Sequence, residues 1–160
     1  MRVRVKGTRE LPLDRLQPLF AESAAQRWHH LARRRQEWEQ GVNRFHRAGE
    51  AIYLAHEGEH IVGVVGLSQD PYAASSRIGH VRRVYVLASS RRRGVGRALV
   101  DRVVLDASQN FSELRLRAGS AGAAVLRSSG LRSHDRIRGS DPPAPDPRAA
   151  RGRGVLYPGV

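Results

Sequence analysis

The stretch between residues 84 and 99 constrains the fold more than any other part of the chain. An apolar strand ending in Val84-Tyr85-Val86 is followed by a basic loop with glycines at 94 and 96, and then by a helical pattern. Glycine lets the backbone turn tightly and approach a ligand closely, and a helix N-terminus carries positive partial charge. A strand, a glycine loop and a helix in this order predict an anion site that suits a phosphate group.

The spacing of this loop separates it from other phosphate-binding loops. Dinucleotide-binding folds use three glycines as G-x-G-x-x-G, and P-loops use G-x-x-x-x-G-K followed by Ser or Thr. This chain has neither pattern and instead reads Arg-x-x-Gly-x-Gly at Arg91, Gly94 and Gly96. The alternative is a solvated charge run over 91–93 beside a flexible turn. Apolar residues on both sides favour the anion site: Ile78, Val81, Val84 and Val86 before the loop, and Leu99, Val100, Val103 and Val104 on one helix stripe after it.

With Val-x-Val before the loop and an amphipathic helix after it, the chain resembles the GNAT superfamily of N-acetyltransferases. The resemblance implies that the loop holds the pyrophosphate of acetyl-coenzyme A and that the preceding strand binds the pantetheine arm through its backbone. It also implies that the backbone N–H of Val86 contacts the thioester carbonyl. The cofactor-binding residues implied in this way are Val84, Val86, Arg91, Arg92, Arg93, Gly94, Val95, Gly96 and Arg97.

The order of predicted elements, β-α-α-β-β-β-α-β, is that of a GNAT domain: a mixed central sheet flanked by helices. We assign the domain to residues 1–140, and the resemblance extends to about residue 131. The pattern predicts strands at 2–6, 51–56, 60–68, 77–87 and 111–118, a hairpin turn at 57–59, and helices at 12–20, 24–45 with a break near Gly41, and from the glycine loop to residue 108.

The C-terminal part departs from the family pattern. When Gly130-Leu131 is placed on the family's final Gly-Phe, Gly119 replaces an asparagine and Leu126 replaces the tyrosine that protonates the departing thiolate. Residues 141–160 are rich in Pro, Arg and Gly, and proline at this density cannot pair in a central sheet, so the last strands are atypical or missing. A mobile tail is expected. A shifted reading frame near residue 130 and a natural divergent terminus both remain open.

The expected chemistry is direct attack of an amine on the thioester, and the ammonium must first lose its proton. A histidine has a suitable unperturbed pKa for this task. His80 lies six residues before Val86, at the strand position where histone-type family members carry a catalytic glutamate. Strand alternation predicts that His80 shares a face with Arg82, Val84 and Val86. The alternative is an ordinary half-buried strand histidine.

Other residues suggest structural roles. Trp28 and Trp38 lie ten apart on one predicted helix, which favours core packing, and the run Arg33 to Arg35 is expected to form a solvated helix face. Adjacent His29 and His30 point about 100° apart on a helix and cannot chelate one metal well. The set His56, His60 and Asp70 has no known ligand spacing, so no metal site is predicted.

Composition limits the remaining functions. The formal net charge is +13, but 27 of the 28 basic residues are arginines scattered along the chain, which indicates a GC-rich coding sequence and disfavours nucleic acid as a partner. The charge favours an anionic or neutral acceptor. The chain has no cysteine, no apolar run that could span a membrane and no signal-peptide pattern, so a cytoplasmic protein is expected. A sheet without its last strands leaves an edge that could support a homodimer.

The sequence therefore predicts an acetyl-coenzyme A-dependent N-acetyltransferase whose acceptor is a small-molecule or peptide amine. The alternative is a non-catalytic acyl-coenzyme A binding module. Gly119, Leu126 and the tail favour that alternative, whereas His80 and the glycine loop favour the enzyme.

Overall fold

Five strands form one mixed sheet whose spatial order follows the chain. The computed structural model describes residues 2–116 of the 160. The first four strands are antiparallel neighbours, and the fifth pairs with the fourth in parallel. The elements are β1 (Arg4–Thr8), α1 (Gln17–Ala25), α2 (His29–Glu39), β2 (Ala51–Glu57), β3 (His60–Gln69), β4 (Ile78–Val86), a single 3-10 turn (Ala88–Ser90), α3 (Val95–Ala107) and β5 (Glu113–Leu116).

The predicted order of elements is confirmed, and each face of the sheet has its own core. On one face, α1 and α2 bury Leu19 and Leu31 against Ile52. On the other face, α3 buries Leu99 and Val103, the stripe that the apolar spacing predicts. Each fully buried aliphatic side chain contributes about 1.5–3 kcal/mol through removal of apolar surface from water. The sheet thus rests between a two-helix layer and a one-helix layer.

A β-bulge interrupts β4 and changes which residues share a face. The pairing with β3 shifts register between Val64 and Gly66, and Arg83 in the opposing strand has φ of +57°. One extra residue reverses the alternation of side chains beyond it. Val84 and Val86 therefore pack on the α3 side, and Tyr85 faces the α1 and α2 side.

His80 and Arg82 precede the bulge and lie on the face opposite Val81, which packs on the α3 side. They are therefore on the α1 and α2 side of the sheet. The prediction that His80 shares a face with Val84 and Val86 is wrong, because uninterrupted alternation was assumed where the strand contains a bulge.

The long second helix predicted over 24–45 is also wrong. Arg27 has φ of +57°, so the chain breaks between α1 and α2. The predicted break near Gly41 is confirmed, since Gly41 has φ of +71° and follows the end of α2 at Glu39. The first helix likewise begins at Gln17 rather than at residue 12. Trp28, predicted to pack in the core, lies in the break and is 47% exposed, whereas Trp38 is partly buried against the core.

The run Arg33 to Arg35 is not uniformly solvated. Arg34 follows the buried Leu31 by three residues, so it lies on the same stripe of α2 and is only 2% exposed. Arg33 and Arg35 remain exposed, as predicted. The expectation was wrong for Arg34 because a charge run was judged by its composition rather than by helical phase.

In the part of the chain that the structure describes, no helix is both long and apolar enough to cross a membrane. Within residues 2–116, no three His, Asp or Glu side chains come together as metal ligands would. The predictions for Gly119, Leu126 and the tail at 141–160 lie outside the described residues.

Candidate active site

The N-terminus of α3 forms the turn that the glycine loop predicts. Gly94 precedes the first helical residue and has φ of +80°, a conformation that glycine adopts without strain. Among residues 2–116, a Cβ atom here would meet no non-adjacent residue within 4 Å, so this part of the chain leaves the space around Gly94 open. No side chain of the described residues caps the helix, and the N–H groups of its first turn have no acceptor within the helix. The turn therefore offers backbone donors and a positive dipole end to an anion.

Two arginines of the basic loop have specific partners, so the loop is more than a solvated charge run. Arg91 donates from Nε to the carbonyl of Val86 and from Nη2 to the side chain of Gln26, both at 2.8 Å. Arg93 lies 3.4 Å from the buried carboxylate of Glu57 at the end of β2. These contacts anchor the loop to β4, α1 and the β2–β3 hairpin.

The remaining predicted loop residues divide between solvent and core. Arg92 is exposed and has φ of +58°. Arg97 is exposed and pairs with Asp101 one turn later at 3.4 Å. Val95 is buried in the core under α3, and Gly96 is half-buried in the first helical turn. The exposed cations and the backbone donors therefore lie at the same end of α3.

The end of β4 has an edge that can bind a ligand through its backbone. The N–H of Leu87 donates to the carbonyl of Val62 on β3 at 2.9 Å. Successive N–H groups of an extended strand point to opposite edges, so those of Val84 and Val86 point away from β3. The strand β5 pairs with β4 only over 78–81, and within residues 2–116 no strand covers the edge beyond. This edge fits the predicted pantetheine site.

His80 lies in the middle of the sheet, between Ser68 of β3 and Arg115 of β5. Its Nδ1 accepts a hydrogen bond from Nε of Arg82 at 3.3 Å, so the neutral ring carries its proton on Nε2. The cross-strand partners of His80 and Val86, Ser68 and Gly63, are five residues apart on β3, which is about 17 Å. The two catalytic positions predicted from the sequence therefore do not meet at one atom, and water molecules would have to connect them.

Glu22 of α1 is a polar group near the end of β4 that the sequence analysis missed. Its Oε1 accepts hydrogen bonds from the hydroxyl of Tyr85 at 2.7 Å and from the N–H of Ala88 at 2.9 Å. Burial, together with the hydrogen bond and charge of Glu22, raises the pKa of Tyr85 to about 12. Trp28 packs edge-on against Tyr85, with ring centroids 5.9 Å apart. No motif signals this cluster, because Glu22 and Tyr85 are 63 residues apart in sequence.

A second group of charges joins α2 to the bulge of β4. The carboxylate of Glu37 accepts two hydrogen bonds from Arg83, at 2.5 and 2.6 Å, and one from Arg33 at 3.1 Å. Burial opposes ionisation of Glu37, but the hydrogen bonds and charges of Arg83 and Arg33 outweigh it and hold the pKa of this carboxyl below its ordinary value. The ion pair thus holds Arg83, the bulge residue, against α2.

Arg34 lies beside this ion pair and contacts the same strand. Its Nη2 donates to the backbone carbonyl of Arg82 at 2.9 Å, and its guanidinium lies 5.5 Å from the ring centre of Phe45. Burial, followed by the charge of Arg83, lowers the pKa of Arg34 to about 9. The spacing from Leu31 was the sequence signal that could have revealed this buried arginine.

Solved structures with the same fold are acetyltransferases. A putative acetyltransferase from Exiguobacterium sp. 255-15 is 22% identical, with a TM-score of 0.69 over 80% of this chain and 84% of that one. A ribosomal-protein-alanine N-acetyltransferase from Brucella melitensis biovar Abortus 2308 is 19% identical, with a TM-score of 0.60 over 88% and 99%. A predicted acetyltransferase with acetyl-CoA from Clostridium acetobutylicum is 14% identical, with a TM-score of 0.58 over 88% and 96%.

At these identities the structures show a shared fold. The family assignment comes from the sequence. None of the curated proteins matches the chain significantly. The model of the acetyltransferase (GNAT) family matches residues 13–122, which is more than half of the chain and includes the glycine loop and both strands that flank α3. The chain belongs to the GNAT acetyltransferase family.

Proposed function

We propose that this protein transfers the acetyl group of acetyl-coenzyme A to a primary amine by direct attack of the amine on the thioester. The observation that carries the proposal is the N-terminus of α3 at Gly94 beside the backbone edge of β4 at Val84 and Val86, which no side chain caps and no strand covers within residues 2–116. Membership of the GNAT family supports this use of the two features.

The proposed cofactor site uses backbone more than side chains. The N–H groups of Val95, Gly96 and Arg97 would donate to the pyrophosphate, and the exposed side chains of Arg92 and Arg97 would add positive charge. Acetyl-coenzyme A supplies an activated acetyl thioester. Val84 and Val86 would bind the pantetheine arm through the β4 edge. The carbonyl of Val86 accepts from Arg91, so Arg91 also orients this edge.

Catalysis would depend first on how the amine and the thioester are positioned. Holding the amine against the thioester provides much of the rate enhancement, and the N–H of Val86 would polarise the thioester carbonyl. His80 is the proposed general base and would receive the proton through water, because of its distance along β4. Glu22, hydrogen-bonded to Ala88, lies much nearer Val86 and is a second group that could take this proton.

Calorimetric titration and a thiol-release assay test this function together. We expect acetyl-coenzyme A to bind with micromolar affinity, because many backbone donors and several cations meet one pyrophosphate. We also expect release of coenzyme A that depends on an added primary amine. Binding without amine-dependent release would favour the non-catalytic acyl-coenzyme A binding module. A folded protein that does not bind acetyl-coenzyme A would overturn both functions.

Replacement of the proposed base provides a second test. His80→Ala should lower kcat by about a hundredfold or more near neutral pH, because the amine must then lose its proton to solvent. The KM for acetyl-coenzyme A should stay unchanged, since His80 lies far from the glycine loop. If kcat and its pH profile stay the same, the base lies elsewhere. Glu22→Gln would then test the group nearer Val86.

A further inference from the structure

Buried polar atoms without a hydrogen-bond partner gather at one place in this fold. Among residues 2–116, four side-chain nitrogen or oxygen atoms are buried and unpartnered. Three of them are Nε and Nη1 of Arg34 and Oγ of Ser68. Leaving such groups unpaired in a protein interior is costly, so they indicate a partner that residues 2–116 do not supply.

These atoms lie on one side of the sheet, under α2. A Cβ atom at Gly66 would be 2.5 Å from Nη1 of Arg34, so the guanidinium lies directly over β3. Ser68 is two residues further along the same regular strand, which places its hydroxyl on the same face. The cross-strand partners of Gly66 and Ser68 are Arg82 and His80, whose side chains share that face.

The charges around these atoms are unbalanced. Four arginines meet here, whereas Glu37 already pairs with Arg33 and Arg83, and Asp70, whose charge also acts on Arg82, pairs with Arg115. Within residues 2–116, no carboxylate oxygen lies within 4.0 Å of Arg34 or Arg82. The charge of Arg83 lowers the pKa of both Arg34 and Arg82, after the larger effect of burial. A further negative charge would therefore be favourable at this position.

We propose that the buried cluster of Arg34, Ser68 and Arg82, between α2 and strands β3 and β4, binds the anionic group of the amine acceptor. The inference rests on the proposed function and adds the acceptor class: an amine that also carries a carboxylate or a phosphate. Nε and Nη1 of Arg34 and the hydroxyl of Ser68 are the donors for the anion's oxygens. Arg82 adds charge at the partly exposed side of the site.

The position of this anion site also sets the length of the acceptor. The cross-strand partners of Arg82 and Val86, Gly66 and Gly63, are three residues apart on β3, or about 10 Å, so the anion and the reacting amine must be several bonds apart. Phe45, which covers Arg34, belongs to the segment between α2 and β2 that has no helix or strand. Phe45 is itself part of the core, so an anion would enter from the side of the partly exposed Arg82.

Binding of inorganic phosphate tests the site without reference to catalysis. The thermal unfolding midpoint of the wild-type chain should rise by about 3 °C when phosphate replaces chloride at constant ionic strength, at about ten times its Kd. Because phosphate can also bind at the N-terminus of α3, the comparison is made in the Gly94→Asp, Gly96→Asp background, where Arg34→Met should remove the rise that remains. Methionine fills a similar buried volume, and apolar replacement of a buried charge is often neutral or stabilising, so the variant is expected to fold.

Acceptor selectivity tests the same site during turnover. Hexylamine, ω-aminohexanoate and ω-aminohexyl phosphate share one chain length and differ in the terminal group. The wild-type chain should prefer at least one anionic amine over hexylamine, and Arg34→Met should reduce that preference at least tenfold in kcat/KM. Whichever acid is preferred identifies the anion as a carboxylate or a phosphate. Ser68→Ala should reduce the same preference by a smaller factor.

Arg35→Met is the matched control. Arg35 is the next residue of α2, is exposed and pairs with Glu39, so its replacement should leave the midpoint rise and the selectivity as in the wild type. Equal loss in both variants, or a wild-type midpoint that phosphate does not raise, would overturn the anion site. If no amine releases coenzyme A, the proposed function fails, while the phosphate experiment still decides whether the anion site exists.

Discussion

Glu37→Ala should lower the free energy of unfolding by about 3–5 kcal/mol, the range found when one partner of a buried ion pair is removed. The side chains of Glu37 and Arg83 are only 8% and 11% exposed, and the carboxylate accepts both guanidinium hydrogen bonds of Arg83. Without it, Arg83 loses its partner beside the buried cation of Arg34. Chemical denaturation of both proteins at neutral pH measures the difference.

Glu39→Ala is the control for this measurement. Glu39 lies half a turn further along α2 and pairs with Arg35, and both side chains are about half exposed. Exposed pairs of this kind contribute about 0.3–0.5 kcal/mol, so the two glutamates should differ by a factor of about six or more. If both variants lost similar amounts of unfolding free energy, the Glu37–Arg83 pair would contribute no more to stability than an exposed pair.

The contribution of Glu37 should also depend on pH with a defined sign. Its pKa is lower in the folded chain than the ordinary value of 4.5, so its stabilisation is fully present above that value. As pH falls below 4.5 and through the folded pKa, the carboxylate takes up a proton and the stabilisation disappears. The unfolding free energies of the wild type and Glu37→Ala should therefore converge at acidic pH. A difference that stays constant down to that range would contradict the assignment.

The features that could be predicted well from the sequence depend on the conformational preference and spacing of residues that are close together in the chain. The hairpin turns at Gly58, which has φ of +59°, and α3 begins behind Gly94. Both turns can be predicted from the sequence because glycine adopts a left-handed backbone conformation without strain. The apolar stripe of α3 repeats with the helical period, so the spacing of Leu99 and Val103 is enough to assign both residues to the core.

The predictions that failed depend on contacts between distant segments. Glu37 on α2 holds the bulge at Arg83 through hydrogen bonds, and no local sequence pattern indicates the extra residue. Because of this extra residue, Val84 and Val86 lie on the face opposite His80. The break at Arg27 ends a helix whose apolar pattern continues beyond it. Glu22 could not be found either, since its link to Tyr85 exists only in the folded chain.

The bulge of β4 separates the two proposed parts of the candidate site. The proposed cofactor edge lies after the bulge, whereas His80 lies before it and Arg34 contacts the carbonyl of Arg82 from α2, on the α1 and α2 side of the sheet. An acceptor that reached both parts would have to extend along β4. The bulge and the Glu37 pair that holds it would then determine how acceptor and cofactor face each other.

The double variant Gly94→Asp, Gly96→Asp should raise the Kd for acetyl-coenzyme A about a thousandfold. Two carboxylates would lie beside a pyrophosphate, and one such pair of charges 4 Å apart is unfavourable by about 4 kcal/mol near a protein surface. The helix should survive, because aspartate tolerates a left-handed backbone better than most residues and complements the dipole at a helix N-terminus. Calorimetric titration measures the Kd, and circular dichroism checks the fold.

Gly94→Asn, Gly96→Asn separates charge from shape in this experiment. Asparagine has nearly the same size and the same tolerance of positive φ as aspartate, and the space around Gly94 is open. The amide variant should therefore lose far less affinity than the carboxylate variant. Equal losses would mean that the ligand needs bare backbone at these positions, so that shape and not charge governs binding. Unchanged affinity in the aspartate variant would show that the pyrophosphate does not bind at the N-terminus of α3.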